Sequence, residues 1–308
     1  MFLDCVAMPY PEHAKERFFK YTSASTALKI LKSSTVRYSS PLLFNDPFDV
    51  QSGLHFEFEI ESLPEKIFQR IEQLVASDRE PEPQEGNILG EAITIMWENK
   101  STHGFPREEI WKLVRPQLEG FKDQIIQLQS EYQNEWWNDF LPRLYIFSVA
   151  EENDNLLMWS HYGDYHRGVV FSFRVLPQQD NPLCVARPVV YRNTPPSFFA
   201  EQQWLDDILG VRKLEHIELY FQYAYVKSAV WAYEREWRVW DLRPQPSPLH
   251  YYDYPLWDKE VEAVYFGCNI ASESKVDIMS LLSMKYPEAK LFQARKGCDK
   301  YRLEFNAF

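Results

Sequence analysis

The residues best suited to chemistry stand close together late in the chain: Glu234, Glu236 and Arg238, inside the aromatic run 231–240. If they follow one another along a strand, Glu234, Glu236, Arg238 and Trp240 share one face, and Arg235, Trp237 and Val239 take the other. Glutamate is a poor strand former, so two on one face beside an arginine need a reason. One is a solvated face with charge pairing, the default for charged side chains. The other is a carboxylate held at the wall of a cleft by an aromatic-rich strand. Like charges at that spacing raise one pKa toward the range of a general base, and a carboxylate stabilises a cation that develops beside it.

Other stretches offer partners. Residues 158–168 bring together Trp159, His161, Tyr162, Asp164, Tyr165 and His166. His161 and Tyr165 are four apart, yet no third metal ligand stands nearby, and a lone histidine is more often a hydrogen-bonded structural residue. Lys20, Tyr21 and Thr22 end an expected strand and lead into a helix. Ser148 is a small hydroxyl at the end of an apolar strand. Residues 40–49, with Pro41, Asn45, Asp46, Pro47 and Asp49, read as a turn-rich loop of the kind that lines sites. The chain has no GxGxxG, P-loop, HExxH or GxSxG pattern, which argues against dinucleotide-fold dehydrogenase, kinase and α/β-hydrolase readings.

The elements that must position these residues follow from periodicity. Strands are expected at 17–22, 36–39, 144–149, 168–175, 185–191, 234–242, 260–267, 290–294 and 300–305. A helix capped by Ser23 or Ser25 covers about 24–31. Asn155 and its neighbours cap a short helix over 156–162, ended by Gly163, and further helices fall at 197–209, 214–225 and 272–286. Residues 62–140 differ in character. Ser62 and Glu65 resemble a capping box, 88–98 is helical in pattern, and so is 110–140, which Pro116 and Gly120 should break in two. Residues 1–16 read as an irregular lead-in. The fold class is α+β: a mixed, mainly antiparallel sheet core, with an inserted helical lobe at about 62–140, in one unit spanning 1–308.

Composition sets bounds. The 308 residues are 45% hydrophobic and 16% aromatic, enough for a sizeable core and for clefts that stack planar ligands. A net charge of −12 repels nucleic acid and anionic membranes unless a local basic groove intervenes. Cys5, Cys184, Cys268 and Cys298 are widely spaced, which argues against disulfides and structural zinc. No segment approaches the roughly 20 apolar residues of a membrane span, so a cytoplasmic protein is expected.

Taken together, the motifs resemble domain-of-unknown-function family 2971. Those that carry the resemblance are Phe19-Lys20-Tyr21-Thr22, Ser39-Ser40-Pro41, Phe44-Asn45-Asp46-Pro47-Phe48-Asp49, Phe147-Ser148, Leu157-Met158-Trp159-Ser160-His161-Tyr162 with Gly168-Val169, and Tyr233-Glu234-Arg235-Glu236-Trp237-Arg238. They span roughly residues 17–242, with the helical block as variable filler. Their order is also similar to that of ADP-ribosyltransferases of the DNA-modifying toxin type. That resemblance implies an ADP-ribosyltransferase-like sheet and NAD as substrate. Lys20 falls where that group has histidine, Thr22 where it has threonine, and Glu236 at the catalytic glutamate, with Glu234 as its neighbour. It implies that Lys20, Tyr21, Thr22, Tyr38, Asn45, Ser148, Trp159, His161, Tyr162 and Arg238 contribute to binding NAD, aromatics by stacking nicotinamide and cations such as Lys20, Arg37, Lys227 and Arg238 by meeting the pyrophosphate. The acceptor it implies is a nucleic acid or, second, a protein side chain. The setting it implies is a bacterial toxin or antiviral (phage-defence) effector restrained by an antitoxin protein.

Two other classes remain open at this level. A metal-dependent nuclease or hydrolase would use Asp46, Asp49, His161 and Glu236 as ligands. A non-catalytic ligand-binding module would use the aromatic cleft alone, with Glu236 merely paired to Arg238.

Overall fold

The computed structural model describes residues 12–57, 59–212 and 216–308. Most of the expected lead-in, Cys5 and the expected helix start at Leu214 lie outside the described residues. The chain forms two compact units: residues up to Gln51 with Leu141–Thr194 and Tyr225–Phe308, and Ser52–Phe140 with Pro195–Ala224. Among the described residues no helix is long and apolar enough to cross a membrane.

The first unit is built on strands β1 (Arg17–Thr22), β2 (Thr35–Ser39), β3 (Leu144–Ala150), β4 (Val169–Arg174), β5 (Arg187–Pro188), β6 (Val190–Arg192), β7 (Val226–Ser228), β8 (Glu236–Leu242), β9 (Tyr251–Pro255), β10 (Val261–Phe266), β11 (Lys290–Lys296) and β12 (Leu303–Ala307). Ten of them make one mixed sheet in the order β12-β11-β10-β4-β1-β3-β2-β9, with β8 pairing β3 and β5. Its pairings are antiparallel except β10 with β11; β6 and β7 form a separate parallel pair.

Alternation along the strands separates two faces. Phe18, Phe147, Val149, Phe171, Phe173, Trp237 and Val239 enter the larger core, which Ala27 and Leu31 of the helix Ala24–Ser33 and Ile278 and Leu282 of the helix Ser272–Lys285 close over. Tyr21, Ala150 and Val170 enter a smaller core with Met158 and Trp159. Glu236 and Arg238 alternate with Trp237 and Val239, so they face away from the larger core. β1 and β3 pair in register only at Phe19 and Ala150, among the described residues, whereas β1 runs fully paired along β4. The sheet therefore opens between β1 and β3, next to the strand that carries Glu236.

The second unit is helical: Leu63–Ala76, Ile88–His103, Arg107–Glu135, Glu201–Ile208 and His216–Tyr223. Leu63, Ile67, Phe68, Ile71 and Val75 recur at helical spacing and are buried. Pro116 does not break its helix. It sits inside the continuous run Arg107–Glu135, at an exposed position where the lost backbone bond displaces no core packing. Ser62 makes no capping bond through its side chain, so the expected capping box is not formed.

Two strand expectations are corrected. Residues 185–191 divide into a helical turn (Pro182–Val185) and the short strands β5 and β6, because Pro188 cannot continue a ladder as a donor. The strand expected from Glu234 begins at Glu236. Glu234 ends a helical turn, Ala229–Glu234, and Arg235 between them takes a left-handed conformation (φ 43°). The two glutamates are thus not neighbours on one strand face.

Candidate active site

The opening of the sheet becomes a cavity of about 180 Å³. Its walls come from β1 (Phe19, Lys20, Tyr21), β3 (Ser148, Val149, Ala150), the loop after β2 (Phe44, Asn45, Asp49), Met158 and Tyr162, Lys227 of β7, Glu234 and Glu236. The helix that presents Met158 and Tyr162 starts where Asn155 accepts from Leu157 N and Met158 N, at 3.0 and 3.1 Å. The turn that follows the helix closes on the end of β1 at Gly168, where a Cβ would lie 2.1 Å from the carbonyl oxygen of Thr22.

The floor is a buried ionic network. Arg238 donates from Nε to Glu236 Oε1 at 2.7 Å and from Nη2 to both oxygens of Asp49, at 2.8 and 2.7 Å. Lys227 Nζ donates to Glu234 Oε2 at 2.5 Å and Glu236 Oε2 at 3.0 Å, and lies 3.3 Å from Asp49 Oδ2. Tyr162 donates its hydroxyl to Glu234 Oε1 at 2.7 Å. Arg235 turns the backbone so that Glu234 and Glu236 meet through Lys227 instead of side by side.

The two carboxylates differ in consequence. Burial pushes Glu236 up, but the charges of Arg238 and Lys227, with hydrogen bonds from Arg238 and Ser148, overcome it and hold the carboxyl well below its usual range. Burial also pushes Glu234 up; Lys227 opposes, Glu236 adds to the rise, and the carboxyl stays above its usual range. Glu236 is thus held as the anion, while the shift of Glu234 runs the other way, toward keeping its proton. Because the pair interacts, the proton equilibria belong to the network rather than to either residue alone.

Lys20 stands in the opening between β1 and β3. Its Nζ donates to Ser148 O at 2.6 Å and lies 5.1 Å from the centre of the Phe147 ring. Burial lowers its pKa to about 8, against the pull of Glu236 and Glu234. Three carboxylates therefore face two fully paired cations and a third, Lys20, whose pKa burial lowers.

Of the sequence-derived site residues, Lys20, Tyr21, Asn45, Ser148, Tyr162, Glu234 and Glu236 converge on the cavity. Arg238 lies beneath it, fully buried. Thr22 lines a separate groove on the far side of Lys20. His161 lines a neighbouring cleft of about 500 Å³ that shares Asn45 and Tyr162 with the cavity. Tyr38 and Trp159 do not line the cavity. Tyr38 stacks on Phe147 at 5.2 Å within the larger core, and Trp159 is fully buried, donating to Asn153 O at 2.7 Å. Both are aromatics whose burial needs satisfied the packing first. Arg37 pairs with Asp253 outside the cavity.

Asp49 as counter-ion of Arg238 and Lys227 as the bridge between the glutamates did not emerge from the sequence as such. A lone lysine nine residues from Glu236 carries no pattern; only the pairing of β6 with β7 brings it under the site. The four residues considered as metal ligands do not assemble. Asp46 accepts from Trp231 Nε1 at 2.6 Å, Asp49 and Glu236 are turned onto cations, and among the described residues no three His, Cys, Asp or Glu side chains converge as a metal set.

Comparison with known families gives one match: residues 158–239 match a family described as a protein of unknown function, DUF2971. The matched segment holds the Met158–Gly168 turn, Lys227, Glu234 and Glu236, and leaves the motifs of residues 19–49 outside it. No curated protein and no solved structure matches the chain.

Proposed function

We propose that this chain is an NAD-dependent ADP-ribosyltransferase acting on a nucleic-acid base or, second, a protein side chain. The observation that carries the reading is the convergence, at the opening of the sheet, of Lys20 on β1, Ser148 on β3 and Glu236 on β8, with Glu234 and Tyr162 beside them. Those are the positions that the resemblance to toxin-type transferases makes functional.

The chemistry divides between the carboxylates. Breaking the nicotinamide–ribose bond develops an oxocarbenium-like cation. Glu236, a fixed anion of the cavity, stabilises that cation without reorganising, since Arg238 and Lys227 already hold it. Glu234 accepts the proton of the attacking acceptor group, and Tyr162 orients it. Lys20 supplies a donor where the similar enzymes have an imidazole. The cavity is smaller than the roughly 300–1,000 Å³ of a full ligand site, so it holds the nicotinamide ribose and leaves the rest of the dinucleotide outside. Such activity in a cell calls for restraint, and an antitoxin protein and a role in defence belong to this proposal.

The test is nicotinamide release and transfer of label from NAD to macromolecules in a lysate, with nuclease and protease digestion to identify the acceptor. Glu236→Gln should lose at least about a hundredfold in rate, the scale of removing a preorganised electrostatic group. A folded wild-type protein that releases no nicotinamide and labels nothing under any condition tried would sink the proposal.

A further inference from the structure

The groove on the far side of Lys20 is chemically unlike the cavity. It measures about 480 Å³ and runs between β1, the helix Ala24–Ser33 and β2. Lys20, Lys29, Lys32 and Arg37 line it, and Asp253 is the carboxylate among its walls. Thr22, Thr26, Ser33 and Thr35 add hydroxyls. Lys29 and Lys32 are exposed and make no ion pair among the described residues. Lys285 arrives from the helix Ser272–Lys285, donating from Nζ to Lys32 O at 2.6 Å and Ser34 Oγ at 3.2 Å. Arg37 holds Asp253 at 2.9 Å and stacks 3.3 Å over the Tyr251 ring.

In a chain of net charge −12, cations collected from β1, a helix and β2 run against the overall balance. The helix dipole accounts for Lys32, which lies in the last turn. It does not account for Lys20 or Arg37, which belong to strands. Ammonium groups act as point charges on phosphate oxygens, and hydroxyls complete such sites as further donors.

We infer that this groove binds a diphosphate group, gripped by Lys29 and Lys32 and reaching Lys20 at the edge of the carboxylate cavity. The inference adds Lys29 and Lys32 to Lys20 and Arg37, which the transfer reading already sets against a pyrophosphate, and it does not depend on that reading, since any ligand carrying a diphosphate satisfies it. The shared chemistry belongs to inorganic pyrophosphate and to nucleoside diphosphates, and titration with each separates the sources.

The experiment is calorimetric titration of the full chain with pyrophosphate and, in a second arm, with ADP. Wild-type protein is compared with Lys29→Glu/Lys32→Glu and with the charge control Lys259→Glu/Lys300→Glu. Saturable one-to-one binding of both ligands to wild type is expected. The groove variant should weaken both at least about tenfold at an unchanged melting temperature, and the control should not. Equal affinities for the two ligands mean that the phosphates alone are read; tighter ADP binding adds nucleoside contacts to the same site. Absence of pyrophosphate binding, unchanged affinity in the groove variant, or equal weakening in the control overturns the inference. Nicotinamide release is measured separately: pyrophosphate binding without it keeps the groove and removes the transferase reading.

Discussion

The cavity and the groove that meet at Lys20 use charge in opposite ways. In the cavity, Asp49, Glu234, Glu236, Lys227 and Arg238 are buried and bonded to one another. In the groove, Lys29 and Lys32 are exposed and hold no counter-ion among the described residues. A buried charge without a partner costs far more than an exposed one, so the cavity had to be assembled as a set, whereas the groove tolerates loss of a member. The cavity should thus govern stability and reaction, and the groove should govern only what is held nearby.

The largest effect that sharpens this contrast is on Arg238. Arg238→Met leaves Asp49 and Glu236 buried without their main counter-ion, and should cost about 3–5 kcal/mol of unfolding free energy by denaturant titration. A cost below 1 kcal/mol would mean that water reaches the network and the contrast fails.

Lys20 should behave in the reverse sense. Its folded pKa of about 8 lies below the ordinary lysine value of 10.5, so the unfolded chain binds the proton more tightly between those values. Wild-type stability relative to Lys20→Met should therefore rise as pH climbs from 8 to 10.5, and at pH 7 the variant should be the more stable by about 1–3 kcal/mol. The same variant should lose transfer activity. Lower stability at pH 7 would show that the Ser148 contact outweighs desolvation.

Glu234 gives a pH signature of the opposite sign. Its folded pKa is raised, so the stability it contributes relative to Glu234→Gln is present below the ordinary carboxylate pKa and is lost as pH rises through the folded value. Activity should follow the other limb, falling as pH drops through that value, because the base must be unprotonated. A rate profile with the same acid limb in Glu234→Gln would assign that limb elsewhere.

Tyr162→Phe should cost less: about 1.5–3 kcal/mol for a hydrogen bond to a charged group, and about tenfold in rate. The smallest effect belongs to the groove, where Lys29→Glu/Lys32→Glu should move unfolding by no more than about 0.5 kcal/mol. A larger loss there would show that the groove lysines are structural after all.

Much of the sheet was legible. Strands at 17–22, 144–149 and 168–175 appear within a residue or two of their expected bounds, because their apolar and β-branched runs leave no competing period. Ser23 and Asn155 cap helices as their types and positions imply. Less legible was the turn at Arg235. Alternating charged and aromatic residues suit a strand, and nothing local marks residue 235 for a left-handed backbone, since arginine has no preference for it. Tyr38 and Trp159 illustrate the same limit: an aromatic suited to stacking a ligand is equally suited to a core, and packing decides.

The sequence by itself determined which residue types were available and which strands would carry them: Lys20 on β1, Ser148 on β3 and Glu236 on β8. Side-chain periodicity and propensity are local properties, and they suffice for that. Only the tertiary structure decided which carboxylate is held below its usual range and which is pushed above it. That choice depends on Asp49 arriving from a loop far away in the chain and on Lys227 and Arg238 arriving from two strands that flank the glutamates. Charge interactions act through space and burial, and neither is encoded in spacing along the chain.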